Sequence, residues 1–335
     1  MRNIIISLFF LSSLIPLGSG AEEIQLQDQA PSRYVVKQGD TLWGISARFL
    51  KDPWKWPQIW GMNREEIENP HLIYPGDVIV LENENGTTKL MIEKSQEKPL
   101  ETVKLEPGVQ IRDLGRAIPT ISMSVIGPFL TKTRVMSETE WEGAPSIVAG
   151  TESSDILGEG ESGYVSGLKG KNVTFSIYGK GRELVDPDTG ESLGLEAEYL
   201  GEARVVKAGN PAKIEVTRSV KEIDIGAKLF PVVEQTVLHY VPHAPDKMIT
   251  GHILSSYSGM IGQGDIVAID LGTKKGIELG DVLAVYRDGK EVNDVKLPSE
   301  RVGLIMVFLA YDDVSYALVV QSKRTIYNTD IVRTP

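Results

Sequence analysis

Between Tyr34 and Leu81 the spacing of hydrophobic and polar positions changes twice. Tyr34 to Lys37 alternates like a short strand, and Gly39-Asp40-Thr41 then reads as a turn followed by a helix start. Asp40 or Thr41 can cap the free amides at that start. Leu42, Ile45, Ser46 and Phe49 fall at i, i+3, i+4 and i+7, which is one face of a short helix. Asn69-Pro70 and Pro75-Gly76-Asp77 are turn chemistry, and Val78 to Leu81 gives a second strand. The pattern predicts strand, helix, helix and strand in one small unit.

After Leu81 the texture changes. Residues 83–103 alternate acidic and basic side chains with few aromatics and read as a charged linker. A flexible coil of this length has an end-to-end distance of roughly 25 Å. The other reading open at Thr87 to Glu93 is a charged hairpin that extends the first sheet. From 104 to 335 the chain reads as mainly β: Val205-Val206, Lys213 to Arg218, Asp265 to Ile269, Val282 to Tyr286, Leu304 to Tyr311 and Tyr316 to Gln321 are short strand-like runs between glycine-containing turns.

This region also reads as two pseudo-repeated β units, about 164–232 and 262–335. Phe175 to Leu184 lines up with Leu283 to Val292, Leu193-Gly194-Leu195 with Val302-Gly303-Leu304, and Ile223 to Leu229 with Ile326 to Val332. The offset is close to 108 residues, shrinking to 103 where the first copy carries Lys207 to Ala212. Identity is low, and chance β texture is the competing explanation.

Residues 34–82 resemble a LysM domain. The matching positions are Tyr34-Val35-Val36, Gly39-Asp40-Thr41-Leu42-Trp43, Ile45, Asn63, Ile67, Asn69-Pro70, Ile73-Tyr74-Pro75-Gly76-Asp77 and Leu81. The stretch Asp52 to Trp60 is longer than the family's minimal loop between its two helices. The resemblance implies a βααβ fold of the α+β class that binds N-acetylglucosamine-containing glycan, in bacteria usually peptidoglycan. It places the glycan site on two facing loops, Gly39-Asp40-Thr41-Leu42 and Pro70-His71-Leu72-Ile73-Tyr74. Backbone groups there would bond acetamido groups, while Leu42, Pro70 and Ile73 would contact methyls and ring faces, unless they pack internally. Trp54, Trp56 and Trp60 are either core or a platform for sugar rings.

Residues 1–21 read as a signal peptide: Arg2, an apolar run from Ile4 to Ile15, and small residues at Ser19-Gly20-Ala21. A retained anchor is the alternative, for which the run is short. Residues 22–33 then read as an N-terminal linker. Export with no cysteine anywhere means no disulfide framework and no acylated cysteine. The net charge of −11, or −12 once Arg2 is removed, argues against nucleic acid and anionic lipid as partners.

Catalytic constellations are not evident. A thiolate nucleophile is excluded, and a G-x-S-x-G elbow is missing. His71, His239, His243 and His252 contain neither H-E-x-x-H nor H-x-H, so no metal site is expected, and His239 and His243, in a Pro-interrupted stretch, read as surface or turn histidines. Gly158-x-Gly160-x-x-Gly163 lacks the following helix of a dinucleotide site, and Asp186 to Gly190 reads as a hairpin turn rather than a calcium loop. No cofactor and no enzymatic activity are expected.

Over the whole mature chain the sequence resembles the type IV pilus secretin-associated protein family, TsaP, whose members join a LysM domain to a region similar to the flagellar protein FlgT. The supporting blocks are Ala117-Ile118-Pro119, Gly127-Pro128-Phe129-Leu130, Ala144-Pro145-x-Ile147-Val148 and Asp186-Pro187-x-Thr189-Gly190-Glu191-x-Leu193-Gly194. The resemblance implies a periplasmic anchor that ties the outer-membrane secretin ring to peptidoglycan, with several copies around the ring. An adaptor of another envelope machine, such as a flagellar basal body or a wall synthase, is the alternative, followed by a wall hydrolase.

Overall fold

The structure, a computed structural model, describes residues 24–59, 73–84, 87–93, 120–151, 155–170, 173–232, 240–256, 260–289, 291–292 and 295–335. The expected signal peptide and Trp60 lie outside them. No helix among the described residues is long and apolar enough to cross a membrane.

The N-terminal unit comprises β1 (Arg33–Val35), α1 (Leu42–Phe49), a 3-10 turn at Pro53–Lys55, α2 (Trp56–Ile59), β2 (Val78–Glu84) and β3 (Thr87–Glu93). Its sheet runs β1-β2-β3, all antiparallel. The periodic face of α1 is buried as expected: Leu42, Ile45 and Phe49 pack with Val36, Trp56, Ile73 and Ile79. Parts of two expected linkers are corrected here, while residues 94–103 lie outside the described residues. Thr87–Glu93 is a strand, because Leu90 is fully buried and closes this core from outside residues 34–82. Residues 24–33 are likewise held: Leu26 bridges Leu50, the Gln27 amide donates to the Phe49 carbonyl at 2.8 Å, and Ile24 and Leu26 pack on the core.

The remainder is mainly β. It begins with α3 (Met123–Lys132), β4 (Arg134–Met136) and α4 (Glu138–Gly143), the last opened by a reciprocal Ser137–Glu140 capping box. There follow β5 (Ser146–Gly150), β6 (Ile156–Leu157), β7 (Ser162–Ser166), β8 (Thr174–Val185), β9 (Ser192–Lys207), β10 (Ala212–Ser219), β11 (Ile223–Asp224) and β12 (Lys228–Pro231). Then come β13 (Thr250–Ser256), β14 (Ile266–Ile269), β15 (Val282–Arg287), β16 (Glu291–Val292), β17 (Val295–Lys296), β18 (Glu300–Ala310), β19 (Ser315–Ser322) and β20 (Ile331–Arg333).

The second set closes into a barrel of order β13-β14-β19-β18-β15-β20. The first set has the same cyclic order, β5-β7-β10-β9-β8-β12, closed by the β5–β12 pairing. Local details correspond as well. Gly226 and Thr329 both have positive φ, and their amides donate to Ile147 and Ile253 carbonyls at 2.8 and 2.7 Å. The rings start at Ser146 and Thr250, earlier than the expected units at 164 and 262. One aligned block also shifts. Ile177 opposes Gly201 as Val285 opposes Gly303, so Leu200-Gly201, not Leu193-Gly194, corresponds to Val302-Gly303. The reason is the length of β9: its first half runs past the ring to pair with β4.

Alternation explains the core. In the second ring Val267, Ile269, Leu283, Val285, Ile305, Val307, Ala317 and Val319 point inward. Their neighbours Ala268, Val282, Ala284, Met306, Phe308, Tyr316 and Leu318 face outward yet are also buried, under α3 (Ile126, Leu130) and beside Trp43 and Trp54 of the N-terminal unit. Strands buried on both faces read as continuous apolar runs, as β18 does. The first ring fills its interior with Ile147, Val165, Phe175, Ile177, Ile214, Val216 and Leu229.

Candidate glycan-binding site

The expected site lies at the start of α1. Gly39 sits at φ +91° in an exposed turn, a region that disfavours side chains with a Cβ. Asp40 fixes this turn: one carboxylate oxygen accepts from the Lys37 amide at 2.8 Å and from the Tyr34 hydroxyl at 2.9 Å. Burial, and then the Asp40 carboxylate, push the Tyr34 hydroxyl pKa up. Of the two candidate caps, Thr41 is the N-cap, its hydroxyl accepting from the Gly44 amide at 3.1 Å.

The Tyr74–Asp77 turn is tied to the end of β1 by backbone. The Val36 amide donates to the Asp77 carbonyl and the Gly76 amide to the Val36 carbonyl, each at 2.9 Å. Asp77 closes its own turn by accepting from the Tyr74 amide at 2.8 Å. The two turns therefore share one edge of the unit. Pro70, His71 and Leu72 lie outside the described residues.

Burial separates the expected residues into two groups. Leu42 and Ile73 are 0% and 3% exposed in the core, so their side chains hold the loops rather than offering a contact surface. Tyr74 is 39% exposed, Gly39 is exposed, and Asp40 and Thr41 are half-buried. Trp56 fills the unit's own core, whereas Trp54 is buried against the barrel. Sequence reasoning passed over Trp43. It stands beside Leu42 but off the periodic face, and a large apolar residue there signals a second buried contact.

Among the described residues no three His, Asp or Glu side chains are grouped to hold a metal ion. His252 lies in β13 with Nδ1 3.0 Å from Oδ2 of the buried Asp270. Asp186 to Gly190 forms the β8–β9 turn, with Asp186 accepting from the Asp188 and Thr189 amides. His243 lies 3.4 Å from the buried Asp281. Burial raises the Asp281 pKa against the opposing pull of the Glu278 amide and His243. A raised carboxyl pKa adds stability below the ordinary carboxylate range, and that stability is lost as pH rises through the folded-state value. Asp281→Asn is therefore expected to raise the melting temperature at pH 8 and to flatten its fall as pH rises above the ordinary carboxylate range.

The family model for the LysM domain matches residues 34–82. Those residues are a LysM domain. An uncharacterized protein of Bacillus subtilis (strain 168), YqbP, is 41% identical over 56 residues, covering 14% of this chain and 26% of that protein. The chain thus spans about a quarter of the length of this relative. LysM domains bind peptidoglycan and other N-acetylglucosamine glycans and are not catalytic.

Proposed function

We propose that this protein is a non-enzymatic periplasmic anchor that holds peptidoglycan through its LysM domain and an outer-membrane type IV pilus secretin through its β region. The observation that carries the wall-binding half is the LysM match at 34–82. Supporting it, the Lys37–Leu42 and Tyr74–Asp77 turns share one edge through the Val36 bonds. The glycan contacts are assigned to backbone around Gly39–Leu42, to Asp40 and Thr41, and to the loop from Pro70 through Tyr74, with Tyr74 as the exposed ring. Tyr74→Ala combined with Thr41→Arg in the full chain should abolish pelleting with isolated sacculi while leaving the melt of the rings unchanged. Equal pelleting of wild type and variant would remove this site.

The secretin half rests on the resemblance to the secretin-associated family and on the leader-like residues 1–21. Two rings of one strand order support reading the β region as two pseudo-repeated units, far larger than a spacer requires. A shallow LysM groove binds weakly alone, but several copies on one ring would act together, raising apparent affinity by roughly 10²–10⁴. Photocrosslinking from the β-region surface in cells should trap the secretin. Trapping a flagellar or wall-synthesis component instead would favour the adaptor reading.

A further inference from the structure

The first turn of α1 serves two modules. Its N-cap, Thr41, belongs to the glycan loop, but its second residue, Trp43, faces away from the LysM core. Trp43 is 5% exposed and packs in the cluster made by α3 and the outer face of the second ring. Trp54, 7% exposed, enters the same cluster from the 3-10 turn, and Asp52 beside it lies 3.4 Å from Arg301 of β18. The backbone is engaged too: the Trp43 amide donates to the Thr120 carbonyl at 3.2 Å, just before α3.

A helix leaves its first amides without partners inside the helix. Here Thr41 takes the one at Gly44, and Thr120 takes the one at Trp43. The helix start that walls the Gly39–Leu42 loop is thus capped half from within the LysM domain and half from the β region. Leu42 and Trp43 are adjacent and point into two different cores. A rigid-body shift at one core must therefore move the loop joined to the other.

We infer that the β region is part of the glycan-binding device: docking through Trp43 and Thr120 holds the Gly39–Leu42 loop in its binding geometry, so docking and glycan affinity are coupled. Trp43 is a positioning residue, acting through the backbone of Thr41 and Leu42. This rests on the glycan reading above. The coupling is reciprocal, since whatever docking adds to glycan affinity, bound glycan adds to docking. It also gives a partner on the β region a route to the wall contact. One backbone hydrogen bond and the order it imposes correspond to roughly a three- to tenfold change in affinity.

The decisive variants are Trp54→Leu and Trp54→Asp in the full chain, because Trp54 is in the interface but not in the loop or the LysM core. Undocking is read by acrylamide quenching of Trp43, loop order by hydrogen exchange at residues 39–44, and affinity by titration with an N-acetylglucosamine hexamer. The expected result is faster exchange in the loop and roughly three- to tenfold weaker hexamer binding, with Ser46 to Phe49 still protected. Undocking with unchanged loop exchange and unchanged affinity would overturn the inference. So would an aspartate variant that leaves Trp43 shielded. If the wild type binds neither hexamer nor sacculi, the glycan reading fails. The coupling is then judged on exchange alone, where faster rates in the undocked variant support it and unchanged rates contradict it.

Discussion

Leu90→Ala should unfold the LysM unit while leaving both rings folded. Leu90 is fully buried in the core with Leu42, Ile45, Phe49 and Ile79, although it lies on β3, beyond the matched residues 34–82. Truncating a buried leucine costs about 2–5 kcal/mol. A core this small supplies only about 3–5 kcal/mol of net stability. The loss is therefore comparable with the whole stability of the unit. Hydrogen exchange would show it as lost protection across residues 33–59, with β13 to β20 unchanged and sacculus binding gone. A fragment covering 24–93 should fold, and one covering 34–82 should not. Undiminished protection in Leu90→Ala would mean that β3 is an ornament on the domain rather than a wall of it.

The second large effect is expected at the paired glycines of the two rings. At Gly201 an added Cβ would lie 2.2 Å from the Arg218 carbonyl oxygen. At Gly303 it would lie 2.7 Å from the Gln321 carbonyl oxygen and 3.0 Å from Ile326 Cδ1. These obstacles are mainly cross-strand backbone, which cannot step aside without breaking the ladder. Gly201→Val and Gly303→Val should each cost roughly 3 kcal/mol or more. Their consequences should differ. The first opens only its own ring, whereas the second also loosens the face that carries α3, Trp43 and Trp54, and so frees the LysM domain. Urea melts followed by tryptophan fluorescence distinguish the two. Identical midpoints for wild type and both variants would show that these close backbone approaches do not constrain the rings.

The sequence was most legible where the period was short and local. The α1 face, the two candidate caps, the β-rich character of the second half and the Asp186–Gly190 turn could all be read from neighbours within a few positions. Non-local facts were harder. Leu90, Met91 and Ile92 form a short apolar run within a charged stretch, and only the unfilled core above them makes them a strand. Ring closure joins β5 to β12 across more than seventy intervening residues, which no local pattern announces. Leu42 and Ile73 were ambiguous for a chemical reason, since a residue that can touch a sugar's acetyl methyl is also one that fills a core. The two rings share one strand order, but β9 carries a Leu-Gly pair at both 193 and 200, and register is decided by pairing rather than by composition.

The wall anchor is a statement about three components, and one sedimentation experiment contains all of them. Purified secretin rings in detergent are mixed with isolated sacculi, with or without the full chain. The rings should pellet with sacculi only when the wild-type protein is present, and should stay in the supernatant with the Tyr74→Ala/Thr41→Arg variant. If the protein pellets with sacculi while the rings remain in the supernatant at every ratio, the protein binds the wall but does not anchor the secretin, and the account is wrong.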